Sequence, residues 1–344
     1  MGKGLVARRP TIVDVARLAG VSKATAARAL GDDADLVKPT TRRRVMEAAG
    51  QINYARNAIA GGLRNDRTFM VGICIPDITN PFWPEVTRGV QDGIEGDGYA
   101  AVTLNSDWQT SRERMHLDLV RRNRFDGLVV NPTGVSDAEL HELAIPVVIL
   151  GDGRGYTFDA VGSNTEGGIL DALEYLYDLG HHRIGLVANL GPDDGPSSKH
   201  AATYITFHAE NGLPLDRSLM ADTDLSEEAS FSAATKLLGL TTPPTAIFTA
   251  NDIAAFGVIK AAKQLDLRVP QDLSIVGMDD IHAASATLPA LTTVAKPKYD
   301  NGRQAAKLLL ERMAGHSKSE PTIISTQCSL IVRETTAPPS QGAP

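Results

Sequence analysis

Apolar residues recur along this chain with two different periods, and the change from one to the other divides it. Near the N-terminus they fall three and four apart: Ile12, Val15, Ala16 and Ala19, then Val45, Met46 and Ala49. That spacing lines one face of a helix. From Phe69 the apolar positions come instead in short unbroken runs. These are FMVGICIP (69–76), YAAVTLNS (99–106), FDGLVVNP (125–132), PVVILGD (146–152), RIGLVAN (183–189), TAIFTAND (245–252), LSIVGMDD (273–280) and LTTVAKP (291–297). Such runs suit parallel strands covered on both faces. Helices are predicted between them near 82–95, 110–123, 136–143, 165–179, 197–211, 226–238, 252–264 and 298–314, and TIISTQCSLIVRE makes a last strand that crosses back. Strands alternating with helices in two successive sets predict two doubly wound α/β lobes in tandem.

The helical head has its own punctuation. Thr11 caps a first helix, with Asp14 near the positive end of its dipole. Gly20 ends that helix where the backbone must turn left-handed, Val21 plugs the turn, and Ser22 caps a second helix that runs to Leu30. Two helices joined by so short a glycine turn form a helix-turn-helix, whose second helix offers its first residues to base edges in a major groove. Here those residues are Lys23 and Ala24, with Arg28 on the same face. Pro39 starts a third helix reaching about Ile52, which carries the run Arg42–Arg44 and has only Lys38 as its cap. Beyond it, YARNAIAGGL (54–63) predicts a short helix from Ala58 to Leu63, capped by Asn57. One and a half turns containing two glycines cannot hold alone, because isolated helices need ~12–15 residues.

Charge sharpens the division. The 344 residues carry a net charge of −7, yet residues 1–68 hold 13 Lys and Arg against 6 Asp and Glu, and the remainder 21 against 35. A basic head on an acidic body suits attraction of the head alone to phosphate. Cys74 and Cys328 stand far apart in strand-like runs and offer neither metal spacing nor a disulfide framework. No apolar run reaches spanning length, and the basic N-terminus lacks a signal-peptide core. The expectation is a cytoplasmic protein without membrane contact, cofactor or metal.

In order, TIVDVARLAGVSKATAARAL, YARNAIAGGL, PDITNPFW (76–83), FDGLVV, LGHHRIGLV (179–187), ANDIAAFGV (250–258), VPQDLSIVGMDD and LPALTTV resemble the landmarks of the lactose-repressor (LacI/GalR) family of bacterial transcription regulators. The resemblance spans Thr11 to Glu334. It implies an all-α helix-turn-helix head at 1–56 and a hinge helix and linker at 57–68. A two-lobed body of the type I periplasmic-binding-protein kind follows at 69–336, with parallel sheets, and then a disordered tail at 337–344. The implied function is a repressor that binds double-stranded palindromic operator DNA as a homodimer, or a tetramer built from it. A small carbohydrate-like effector in the cleft between the lobes would control it.

Carried over residue by residue, Lys23, Ala24 and Arg28 match the base-reading positions. Lys and Arg suit guanine and Ala suits a thymine methyl. Thr11, Ser22 and Thr25 match phosphate contacts, Tyr54 and Asn57 flank the linker, and Leu63 matches a leucine wedged into the minor groove. Asn80, Phe82, Trp83, His200, Asn251 and Asp279 match effector contacts. This chain also departs from the family. Arg56 replaces a proline, Ala27 a serine and Gly61 an arginine. His200 stands for an arginine, Leu225 for an aromatic residue, and Lys296 where an amide is frequent. GDGRGY (151–156) replaces an Asp–Arg pair. These departures argue against an ordinary pentose or hexose.

Two other classes fit the sequence less well. GDGRGY places glycines after a strand as a dinucleotide loop does, but the full fingerprint is missing, as are a metal cluster and a nucleophile elbow. His181 and His182 read as a structural turn, because adjacent helical residues diverge. A solute-binding sensor without a DNA role would share the body, but the basic head argues against it.

Overall fold

The computed structural model describes residues 10–31, 34–54, 67–191, 198–316 and 320–340. It divides into two compact units, Met1–Phe69 and Met70–Pro344.

The first unit holds helices α1 (Ile12–Leu18), α2 (Lys23–Ala29) and α3 (Pro39–Gln51). Val15, Ala16 and Ala19 pack against Ala26 and Ala29 and against Val45, Ala48 and Ala49 of α3. The small side chains let three short helices approach closely enough to share one core. Met46 does not belong to it. At 55 % exposure it faces solvent, and Ala48 takes the inward place expected of it, since 45, 48 and 49 share one helical face.

The second unit opens with β1 (Met70–Ile75), α4 (Phe82–Ile94), β2 (Ala100–Asn105), α5 (Thr110–Arg122), β3 (Gly127–Val130), α6 (Asp137–His141), β4 (Val147–Leu150) and β5 (Asp159–Ser163). It continues through α7 (Thr165–Asp178), β6 (Ile184–Ala188), α8 (Lys199–Glu210), β7 (Met220–Asp222), α9 (Glu227–Leu238), β8 (Ala246–Thr249) and α10 (Asp252–Gln264). It closes with β9 (Ser274–Asp279), α11 (His282–Ala286), β10 (Thr292–Ala295), α12 (Lys298–Met313), β11 (Ile323–Thr326) and β12 (Ser329–Ile331). The strands form two six-stranded sheets, ordered β11-β5-β4-β3-β1-β2 and β12-β10-β9-β8-β6-β7. Every pairing is parallel except β10 with β12. The chain passes between lobes after β5, after β10 and after β11.

The apolar runs became the central strands, and each is buried along its length in β3, β4, β6, β8 and β9. The pattern missed β5 and β7. β7 is a three-residue edge strand, half exposed. β5 opens on a charged residue, Asp159, which is buried with its carboxylate accepting two hydrogen bonds from Arg312 and one from the Thr322 N–H, all at 2.6 Å. The expected single last strand is two strands, one in each sheet, and Cys328 lies in the crossing between them. Ala337 is anchored, not loose: its N–H donates to Ser274 Oγ at 3.1 Å, and its carbonyl accepts from that hydroxyl at 2.9 Å. Buried His181 sits between Thr245 and Ser274 and 2.9 Å from the same carbonyl, so it is structural, as expected.

Within the first lobe α4 and α12 touch backbone to backbone. A Cβ on Gly89 would strike the Tyr299 carbonyl, and one on Gly302 the Val86 carbonyl. Glu113 of α5 is fully buried, and its carboxylate accepts from the N–H groups of Thr133, Gly134 and Val135 at 2.9–3.1 Å and from the Thr133 hydroxyl at 3.1 Å. That one side chain shapes the loop after β3. In the second lobe, buried Asp252 accepts from Thr293 Oγ1 at 2.5 Å and from the Ile281 N–H at 2.8 Å. Burial, reinforced by the charge of Asp279, pushes its carboxyl up to about 7.

Glu113→Gln turns an amide NH₂ toward N–H donors and should destabilise the body by ~1–3 kcal/mol, the cost of a buried donor without an acceptor. Urea unfolding of the full chain measures it, and an unchanged midpoint would refute the role. Asp252 holds its proton in the folded state up to about pH 7, against 3.8 for its ordinary value. The folded chain therefore binds more protons than the unfolded one between those limits, and this group's contribution to stability falls as pH rises through them. Asp252→Asn should flatten that decline in thermal unfolding from about pH 5 to 7.5. Parallel profiles for variant and parent would contradict it.

Candidate DNA-reading face and inter-lobe cleft

The head presents α2 through its caps. The Thr11 N–H and hydroxyl both donate to the Asp14 carboxylate, at 2.9 and 2.6 Å, which fixes the start of α1. Gly20, at φ +64°, makes the left-handed turn expected of it. Ser22 Oγ then accepts the Thr25 N–H at 3.0 Å and starts α2. Because Ala26 and Ala29 face the core, Ser22, Lys23, Ala24 and Arg28 are exposed on the other side, with Thr25 half-buried beside them. The expected base-reading residues thus share one open helix face, and the first turn of that helix leads. Arg44 donates to the Ala19 carbonyl at 3.0 Å, satisfying the end of α1. That member of the arginine run is structural. Thr11 is half-buried in its cap, and Tyr54 packs on the head's core. Asn57, Leu63 and the linker helix expected at 58–63 lie outside the described residues.

In the body a cavity of about 210 Å³ opens where the carboxyl ends of the strands of the two lobes face each other. Phe82 and Trp83, packed edge to face at 4.9 Å, form its apolar wall. Asn131, Asp152, Ser163, Thr165, Lys199, Lys296 and Asn301 supply its polar lining. An aromatic face beside amides, hydroxyls and charges suits a small polar ligand with one apolar side.

The other expected effector residues lie outside the cavity lining, and three of the four are engaged locally. Asn80 accepts the Phe82 N–H at 3.0 Å and sets the start of α4. Asn251 caps α10 through the Ala254 N–H at 2.7 Å. Asp279 pairs with Lys296 at 3.0 Å. His200 Nε2 is buried with no hydrogen-bond partner, and burial with neighbouring lysines lowers its pKa to about 3, so the ring stays neutral. Of the six, only Phe82 and Trp83 line the cavity.

Lys296 is the cavity's pivotal cation. Its ammonium lies 5.5 Å from the Phe82 ring centre while pairing with Asp279, so it touches both lobes. Beside it Lys298, buried, donates to the Asp279 and Asp280 carbonyls at 2.6 and 2.9 Å and lies 3.5 Å from Glu85. Asn301 donates to Ser163 Oγ at 2.9 Å and accepts from Thr326 Oγ1 at 2.8 Å, which ties α12 to two of the three crossings. Sequence reasoning singled out Asn131 as a strand end, Asp152 within GDGRGY, and Lys296. Lys199, Ser163, Thr165 and Asn301 carried no signal, because they gather only once the crossings are in place. Among the described residues no three His, Cys, Asp or Glu side chains are placed to hold a metal ion, and no helix is long and apolar enough to cross a membrane.

Comparison with known proteins agrees with both halves. The profile described as "Bacterial regulatory proteins, lacI family" matches residues 11–57, and that of a periplasmic binding protein-like domain matches residues 173–336. The transcriptional repressor CytR of Escherichia coli K12 is 33% identical over 332 residues, 95% of this chain and 96% of that protein. A LacI family regulator from Enterococcus faecium with bound ribose superposes with a TM-score of 0.70 at 27% identity, covering 78% of this chain and 99% of that one. The CelR regulator in complex with cellobiose gives 0.70 at 26% identity over 95% of this chain and all of that one. A capped reading helix, two doubly wound lobes and a relative matched almost end to end lead to one assignment: this chain belongs to the LacI family of bacterial transcription regulators.

Proposed function

We propose that this chain represses transcription by binding a near-palindromic operator as a homodimer, and that a small polar ligand in the inter-lobe cleft changes that binding. The observation that carries the reading is the exposed face of α2. Its Ser22 cap and its packing on α3 present Lys23 and Ala24 at the start of a short helix and Arg28 on the same face in its last turn. Lys23 and Arg28 each suit guanine O6 and N7, and Ala24 a thymine methyl. Ser22 and Thr25 serve the phosphates beside them, with Thr11 at the start of α1. Tyr54 and Asn57 flank the linker, and Leu63 wedges into the minor groove at the operator centre and bends it. A two-fold operator follows from two such heads, each reading one half-site. The relatives with bound ribose and cellobiose support a carbohydrate-like ligand class. Lys296, held between Phe82 and Asp279, makes the cleft of this chain more polar than an aromatic wall and amides alone.

Selection of bound duplexes from a random pool, with the full chain, tests the reading. The expected product is a two-fold symmetric sequence. Recovery of no preferred sequence at low salt would favour a ligand sensor without a DNA role. Arg28→Ala should cost ~1–3 kcal/mol on the selected duplex and relax preference at one base pair of each half-site. Unchanged selectivity in a competition band-shift would remove Arg28 from the reading face.

A further inference from the structure

The loop GDGRGY enters neither the fold's core nor the reading face, yet its charges reach the opposite lobe. It leaves β4 in the first lobe and is fixed there by the Tyr156 hydroxyl, which donates to the Val135 carbonyl at 2.8 Å, and by the Thr157 N–H, which donates to Asp137 at 2.7 Å. From that base Asp152 meets Lys199 of α8 at 2.5 Å, and Arg154 meets Glu166 of α7 at 3.0 Å. Both helices belong to the second lobe. Asp152 and Arg154 are themselves 3.3 Å apart, so Lys199, Asp152, Arg154 and Glu166 form one chain of alternating charge across the mouth of the cleft.

The placement of each charge is informative. Lys199 is the first residue of α8, where the helix dipole disfavours a cation unless an anion neutralises it. Asp152 is that anion. Burial raises its carboxyl, but hydrogen bonding to Lys199 and the charges of Lys199 and Arg154 outweigh it and hold the group below its ordinary value. Asp152 and Lys199 also line the cavity, so the chain of charges is part of the cleft wall and not a remote surface pair.

We propose that loop 151–156 is an electrostatic clasp that draws the lobes together over the cleft. Closure is then set by charge as well as by ligand contacts, and it weakens with salt. An anionic ligand must displace Asp152 from Lys199 to use that ammonium, whereas an uncharged one leaves the clasp shut. The clasp concerns the body alone, so it stands or falls independently of the DNA reading.

Trp83 in the cavity wall reports closure. The chain has two tryptophans, and the other, Trp108, is exposed, so Trp108→Phe in the full-length protein leaves Trp83 as the only tryptophan signal. Acrylamide quenching in that background should rise roughly two- to fivefold in Asp152→Asn or Lys199→Gln, the range open to partly exposed ion pairs. The double variant should quench no more than either single one. The parent should show the same rise between about 20 mM and about 1 M NaCl, since salt screens such pairs. Quenching unchanged by salt and by both substitutions, or additive in the double variant, would overturn the clasp. The salt arm uses the parent and stays decisive if a variant folds poorly.

Discussion

Two helices of the first lobe meet backbone to backbone at Gly89 and Gly302, and the cleft depends on that contact. Gly89 and Gly302 let α4 and α12 lie backbone on backbone, where a single Cβ on either would strike a carbonyl. Both helices start at the cleft. The beginning of α4 places Phe82, Trp83 and Glu85, and the beginning of α12 places Lys298 and Asn301. Fixing the helices against each other therefore fixes an aromatic wall relative to a buried ammonium. Lys298 then carries the arrangement into the second lobe through the Asp279 and Asp280 carbonyls. A buried cation is tolerable because several acceptors surround it.

The charges of the cleft are arranged in opposed pairs: Lys296 with Asp279, and Lys199 with Asp152. A ligand that enters such a site competes with interactions already made, so its hold reflects the difference between the two sets. Outside the cavity lining, the neutral His200 ring keeps a buried Nε2 with no hydrogen-bond partner. Such an atom favours whichever lobe arrangement supplies one. The head follows a different logic. Its core is mostly alanine and valine, and its interest lies on the outside, where caps at Thr11 and Ser22 orient a helix face toward a partner.

The helix-turn-helix was legible in the sequence because its signals are local: Thr11 and Asp14, Gly20, Ser22, each acting within one turn. The central strands were legible because burial on both faces leaves an unbroken apolar run. β5 was not, since a charged residue begins it and its compensating partner, Arg312, lies 153 residues away. Met46 was misplaced because apolar character alone does not fix a helix face. The cleft was legible only in part. Phe82 and Trp83 follow a recognisable stretch, but Ser163, Thr165 and Asn301 are ordinary residues made important by three chain crossings. Asn80 and Asn251 show the converse: polar residues at strand ends that serve as local caps.

If the cleft controls the reading head, ligand binding in one must be felt in the other. The direct test is the affinity of the full chain for its selected duplex, with and without a compound that saturably shifts Trp83 emission in the Trp108→Phe background. Such a compound should change the affinity by ~5–150-fold, the usual range of coupling between two sites on one protein. Saturation of Trp83 with the affinity for the duplex unchanged would contradict it.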